Sequence, residues 1–318
     1  MAENTKKLHR EEHDYRPAKM KAKKDVSDWI IIILMVIIMV VVFVATLYPF
    51  LNSLAISLNN ATDTMRGGIT IFPRVFTIDN YKNIFNNPSI WKAYGITFAR
   101  TIIGMIGGLI VTGACAFALS RKALVGRRVY TFLCLIPMYF GGGLIPTYFL
   151  IKTLGLTNTF WVYILPMLMN VWNLILMRSY FTSSVPDAME EAALIDGANY
   201  FTIFRIYWKC ATPIVATIAL YFAVQHWNDW YTTYVYITNA DLRPMTSVLL
   251  SIINEAGFAE KMAALGVTDV GNAMQGKTTN VRSITMATMI TSIVPIVIIY
   301  PFLQRFFLKG IMVGSVKG

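Results

Sequence analysis

Residues 183–213 read SSVPDAMEEAALIDGANYFTIFRIYWKCATP, a polar stretch set between an apolar run ending at Met177 and another beginning at Ile214. It carries Asp187, Glu190, Glu191, Asp196, Arg205 and Lys209, too much charge for a bilayer interior. It also carries helix signals. Ser184 and Asp187 have the spacing of a capping box, Pro186 suits a first helical turn, and Gly197 suits a left-handed helix stop. These predict a short helix with small residues on one side (Ala188, Ala192) and carboxylates on the other (Asp187, Glu190, Glu191). Small side chains let a helix dock closely, and carboxylates can meet basic groups. Held between two membrane crossings, such a helix is suited to passing force from a soluble partner.

The flanking runs set the rest of the architecture. The 318 residues are 56% hydrophobic and only 14% charged, whereas a soluble domain carries about 25% charged residues. An all-α membrane protein is expected. Trp29 to Tyr48 contains no charge, and about 20 residues at 1.5 Å each cross a hydrocarbon core of roughly 30 Å. This run is too long for a cleaved signal segment and ends in Leu-Tyr-Pro-Phe, without a small-x-small site. It reads as a retained first span.

Five further spans are predicted at about 94–119, 129–150, 157–180, 213–236 and 283–308. The second contains Gly104, Gly107, Gly108 and Gly113, which let neighbouring helices approach closely in lipid. Arg100, near its outer end, reads as snorkelling to the interface, with an ion pair or a sugar contact as the alternative. Gly141 to Gly143 and Pro146 predict a break in the third span. The domain reading is a basic cytoplasmic tail over 1–28, a six-span domain over 29–308 and a cytoplasmic tail over 309–318. Within the six-span domain, the polar loop is 183–213 and an outer loop is 237–282. With both termini inside, the polar loop faces the cytoplasm. The net charge of +11 then follows from basic residues in the inner segments and does not call for a nucleic-acid partner.

Glu191-Ala192-Ala193, then Asp196-Gly197-Ala198, then Ile206, resembles the EAA loop of ABC-importer permeases. Trp208-Lys209 stands where that family has Leu-Pro, and Pro213 arrives later. The stretches ALSRKALVGRR (118–128), GGGLIPTYFLIKTLGL (141–156), VQHWNDW (224–230) and YPFLQRFFLKGIMVGSVKG (300–318) extend the resemblance over most of the chain from about Phe72. Together they resemble the carbohydrate branch of the binding-protein-dependent, MalG-type permeases, the LplC/YtcP-like group. The resemblance implies a type I ABC importer permease fold with a cytoplasmic EAA coupling helix. It implies a transmembrane permease subunit of an ATP-driven carbohydrate importer, with oligosaccharides as cargo, forming half of the translocation path. Glu190, Glu191, Ala192, Ala193, Asp196, Gly197 and Ala198 would couple it to the ATPase. The implied partners are a second related permease as heterodimer, two ATPase subunits and an extracellular sugar-binding lipoprotein. ATP and Mg belong to the ATPase, so this chain is expected to bind no cofactor and not to be an enzyme itself. The implied location is the cell membrane of a Gram-positive bacterium.

The fifth span ends with a polar and aromatic cluster. Amide, imidazole and carboxylate groups within a span are costly and usually face a cavity or a partner. Sugar hydroxyls bond amides and carboxylates, and sugar ring faces stack on aromatics. Tyr221, Gln225, His226, Asn228 and Asp229, with Asn170, Trp172 and Asn173 of the fourth span, are therefore candidates for the sugar path. The competing reading is interfacial anchoring with helix–helix hydrogen bonds.

His226 is the only histidine outside the N-terminal tail, and the spacing of Cys115, Cys134 and Cys210 fits neither zinc nor a disulfide framework. No metal site is expected. Residues 271–278, GNAMQGKT, match a P-loop pattern, but the preceding LGVTDV is a poor strand and the site falls outside the membrane. SVLLSIINEAGF (247–258) predicts an amphipathic outer helix, which in related importers would touch the binding protein. The alternative function, a stand-alone secondary sugar transporter, would call for inverted repeats and a paired ion site. Neither is visible.

Overall fold

The computed structural model describes residues 26–264 and 281–315, so the N-terminal basic cluster and the P-loop-like 271–278 lie outside the described residues. The helices in chain order are α1 (Val26–Ser57), α2 (Ala61–Thr64), α3 (Asp79–Phe85), α4 (Pro88–Ser120), α5 (Arg127–Tyr139), α6 (Leu144–Thr153), α7 (Val171–Ser184), α8 (Asp187–Ile195), α9 (Tyr200–Cys210), α10 (Thr212–Asn228), α11 (Tyr231–Tyr236), α12 (Met245–Ala264) and α13 (Val281–Ser315). Short 3-10 turns over Phe160–Tyr163 and Leu165–Met167 precede α7. Among the described residues the only strand-like pairing is an isolated bridge between Asn59 and Phe76. Two compact units are distinguished, residues 1–50 and residues 51–318. In the first, the described residues belong to α1, whose first turn carries Asp28 and whose following run to Tyr48 has no charge.

Among the described residues, three helices are long and apolar enough to cross a membrane alone: α1, α4 and the Arg282–Pro301 part of α13. Three more crossings need a bend inside them. α5 meets α6 at 114°, the 3-10 segment Phe160–Met167 meets α7 at 46°, and α9 meets α10 at 84°. Six crossings result when each bent pair is one span. The first bend lies at the glycine run, where Gly143 adopts φ +79°. At the second, the Asn170 side chain accepts from the Asn173 N–H and restarts the helix. At the third, α9 runs on through Trp208-Lys209 to Cys210, and Pro213 sits in the first turn of α10. The chain therefore turns at Ala211, between the two helices.

The second unit is built around α4. The expected close approach is real: a methyl group added at Gly104 would stand 2.3 Å from His226 Nε2, and one at Gly108 would stand 2.7 Å from the Phe222 ring. Ala116, Phe117, Leu174, Met177, Phe181 and Phe222 join α4, α7 and α10 in one core, which also takes Ala193 of α8 and Ile203 and Tyr207 of α9. A second core joins Ile84, Ile90, Ala93, Met245 and Ala287.

Arg100 does not snorkel. Its residue is 0% exposed. Nη2 donates to the carbonyls of Trp227 (3.2 Å) and Asp229 (2.7 Å) and to Thr246 Oγ1 (3.2 Å). Nη1 stands 3.6 Å from the Asp229 carboxylate, and the guanidinium lies 5.1 Å from the Tyr163 ring centroid. The physical reason is the helix break at 229–230. A helix end leaves carbonyls without partners, and the negative end of its dipole favours a cation. Arg100 supplies both donors and charge there.

The segment after α1 is a compact knot. Buried Asn59 donates to Asp63 and Thr64 and accepts from the Val75 N–H. Arg74 pairs with Asp63 at 3.0 Å. The Asn59 amide, followed by Arg74, holds the Asp63 carboxyl below its usual range.

Candidate functional site

The polar loop folds as two helices. α8 starts at Asp187 with Pro186 in the capping position and no side-chain cap. The expected capping box is therefore not made. Ser184 Oγ is buried without a hydrogen-bond partner, and Asp187 instead pairs with Lys122. The end of α8 is as the sequence predicts. Gly197 takes φ +75°, its N–H donates to the Leu194 carbonyl (3.1 Å), and the Ala198 N–H donates to the Ala193 carbonyl (2.9 Å). These are the two bonds of a Schellman stop. Asn199 then caps α9 by accepting from the Thr202 N–H.

α8 has a rooted side and an open side. On the rooted side, Ala193 is buried in the core. Glu190 accepts from Arg121 Nε at 2.8 Å and also contacts Nη2 of the same guanidinium, while its second oxygen accepts from the Tyr207 hydroxyl at 2.7 Å. The Arg121 guanidinium lies over the Tyr200 ring at 4.7 Å. On the open side Ala188, Glu191, Ala192, Leu194 and Asp196 are exposed, and Ile195 is 86% exposed.

The seven candidate coupling residues thus divide. Glu190 and Ala193 fasten the helix to the bundle and Ala198 is half-buried, whereas Glu191, Ala192, Asp196 and Gly197 stand open. The sequence reading grouped Glu190 with the outward carboxylates. It missed Arg121 and Tyr207, whose only signals were a basic loop and an amphipathic helix.

The sugar-path candidates divide as well. His226 is buried against α4 at Gly104, and Asp229 belongs to the Arg100 pair. Asn173 is buried and Asn170 caps α7. Asn170 and Asp229 thus make local structural contacts, and His226 and Asn173 are buried. Tyr221 and Gln225 are half-buried and Asn228 is exposed. At spacings of four and three residues they share one face of α10. Trp172 is exposed on α7.

No family model matches the chain. It is similar to Protein LplC of Bacillus subtilis, with 35% identity over 86% of this chain and 90% of that protein. It is similar to the polygalacturonan/rhamnogalacturonan transport system permease protein YtcP of the same species, with 33% identity over 85% and 92%. Its fold matches a chain in the crystal structure of a bacterial ABC transporter involved in the import of the acidic polysaccharide alginate. The TM-score is 0.80 at 28% identity, covering 89% of this chain and 98% of that one. The fold is thus that of an ABC transporter permease, and the chain belongs to the carbohydrate permeases of ABC importers, as a membrane-spanning permease subunit of such an importer.

Proposed function

We propose that this permease forms half of a translocation path for oligosaccharides and is driven through α8 by a separate ATPase. The observation that carries the reading is the two-sided construction of α8. Glu190 and Ala193 root it in the core beside α4, while Glu191, Ala192 and the apolar Ile195 stand open. An open face with small and apolar residues suits a groove on a partner protein, and Glu191 offers it a charge. A second, related permease would supply the other half of the path, two ATPase subunits the nucleotide chemistry with ATP and Mg, and an extracellular lipoprotein the sugar. Both termini and α8 would lie in the cytoplasm. Tyr221, Gln225, Asn228 and Trp172, together with Asn170, Asn173, His226 and Asp229, are the candidates to line the path.

An oligosaccharide cargo is supported by the polysaccharides for which YtcP and the alginate transporter are named. The test is the composition and activity of the particle extracted from native membranes with mild detergent. A second permease and an ATPase should co-purify. Glu191→Ala with Gly197→Asp should release the ATPase while leaving membrane insertion intact, and uptake should stop. Uptake should also fall with ATP and survive an uncoupler. A chain that emerges alone and carries sugar in liposomes without ATP would overturn the reading.

A further inference from the structure

α9 meets α10 at 84°. With α10 taken as the crossing arm of this bent pair, α9 runs close to the membrane plane, at the end that carries the polar loop. Its residues are sorted by helical spacing: Ile203 and Tyr207 are buried against the bundle, and Arg205 and Lys209 are exposed one turn apart. Amphipathic helices of this kind lie at the boundary between headgroups and acyl chains. Between α9 and α4 there is a cavity of about 310 Å³ lined by Ile110, Phe201, Phe204, Arg205, Trp208 and Lys209. Its walls are almost wholly apolar.

Arg121 and Lys122, the nearby basic residues at the end of α4, are both paired with carboxylates of α8. Arg205 and Lys209 have no such partner among the described residues. Leading away from the cavity, α4 exposes Ile110, Ile106 and Ile103 at spacings of four and three residues, a strip of about 10 Å along the helix.

We propose that this cavity is a binding site for an anionic phospholipid. The phosphate lies on Arg205 and Lys209, and one acyl chain packs over the touching Phe204 and Trp208 rings, whose centroids are 5.3 Å apart, and follows Ile110, Ile106 and Ile103. An apolar slot that continues into an apolar helix strip needs a hydrocarbon, and two cations without counter-ions at the membrane surface need an anion. A phospholipid carries both in the required order along the membrane normal. Free phosphate would leave the slot empty, and a neutral lipid would leave the cations unmet. The proposal requires only that α10 crosses the bilayer. It does not depend on how α8 meets an ATPase.

The test uses the full chain, with whatever subunits co-extract, in native mass spectrometry. The probes are phosphatidylglycerol, phosphatidylcholine with the same acyl chains, and glycerol 3-phosphate. Phosphatidylglycerol should be retained over phosphatidylcholine, and glycerol 3-phosphate should not be retained. In Arg205→Gln/Lys209→Gln the preference should fall by about thirty-fold, roughly five-fold for each cation near the surface. Equal retention of the two lipids by the wild type, an unchanged preference in the double variant, or retention of glycerol 3-phosphate would overturn the proposal. An independent arm places a photoreactive phenylalanine analogue at position 201 in native membranes. Crosslinking to phospholipid is expected, and crosslinking to another protein chain instead would mean that a subunit covers the cavity.

Discussion

Arg100 keeps its charge inside the bundle because three oxygen atoms and one carboxylate surround it. These contacts are unequal. The hydrogen bonds go to neutral oxygens, and the carboxylate stands at 3.6 Å, in reach of charge but beyond a good hydrogen bond. Removing one partner of a buried pair costs about 3–5 kcal/mol. Arg100→Leu should fall in that range, because it leaves Asp229 without a counter-charge and takes a donor from the carbonyls of Trp227 and Asp229, of which only the latter keeps one, from Thr246 Oγ1. Asp229→Asn should cost less, since the carbonyls of residues 227 and 229 still serve Arg100. Unfolding midpoints of the two purified variants in detergent check the order, and a reversed order would refute this account of the site.

At the same scale, Asp63 gives a pH dependence. Its carboxyl is lowered by Asn59 first and Arg74 next. The stabilisation is therefore complete above the unfolded value of about 4 and is lost as pH falls through the lower folded value. Limited proteolysis of the 58–77 segment should accelerate only in that acid window, and Asp63→Asn should remove the dependence. Arg100 was visible in the sequence as an arginine in an apolar run. Its partner, 129 residues away, was not, because nothing local to either residue points to the other.

At the scale of the element, α8 is fastened on one side. The Arg121–Glu190–Tyr207 cluster ties it to the end of α4 and to α9, so under the proposed coupling role a push on the open face would reach the core through Glu190. Glu190→Gln keeps the outward residues and loosens the tie, removing a charge-assisted bond worth about 1.5–3 kcal/mol. ATP hydrolysis by the assembled complex should persist while sugar transported per ATP falls several-fold. An unchanged ratio would show that the tie transmits nothing. The stop at Gly197 was legible because a left-handed residue after a helix has a strong chemical signature. The start was misread because Ser184 precedes Pro186 by two residues, and the buried Val185 draws the chain inward before the helix begins. Which carboxylate faces outward was illegible, since Glu190 and Glu191 differ only by a 100° rotation that packing decides.

At the scale of the whole molecule, the lengths of the apolar runs, which the bilayer thickness fixes, marked three unbroken crossings and the three bent pairs that bring the number up to six. The angles inside them were not readable. A glycine run and an asparagine mark where a helix can break, but the 114° and 46° turns are set by what each arm packs against. Prolines gave uneven guidance for the same reason. Pro295 and Pro301 leave α13 continuous, whereas Pro213 adjoins a sharp turn at Ala211. The glycines of α4 were read correctly as sites of close approach. That His226 and Phe222 fill the space is a property of the assembled bundle.

The Arg100 clip also sets a schedule for biosynthesis. The ribosome makes Arg100 first and Asp229 129 residues later, an interval of roughly 6–26 s at about 5–20 residues per second. Throughout that interval the second crossing carries a cation without its carboxylate, at a penalty below the about 2.5–3.5 kcal/mol of a helix centre because Arg100 lies towards one end. Its apolar residues alone must keep it in the bilayer while it waits. The helix at the centre of the finished bundle is thus made early and locked late, and the nascent protein stays open along one seam until its fifth crossing leaves the translocon.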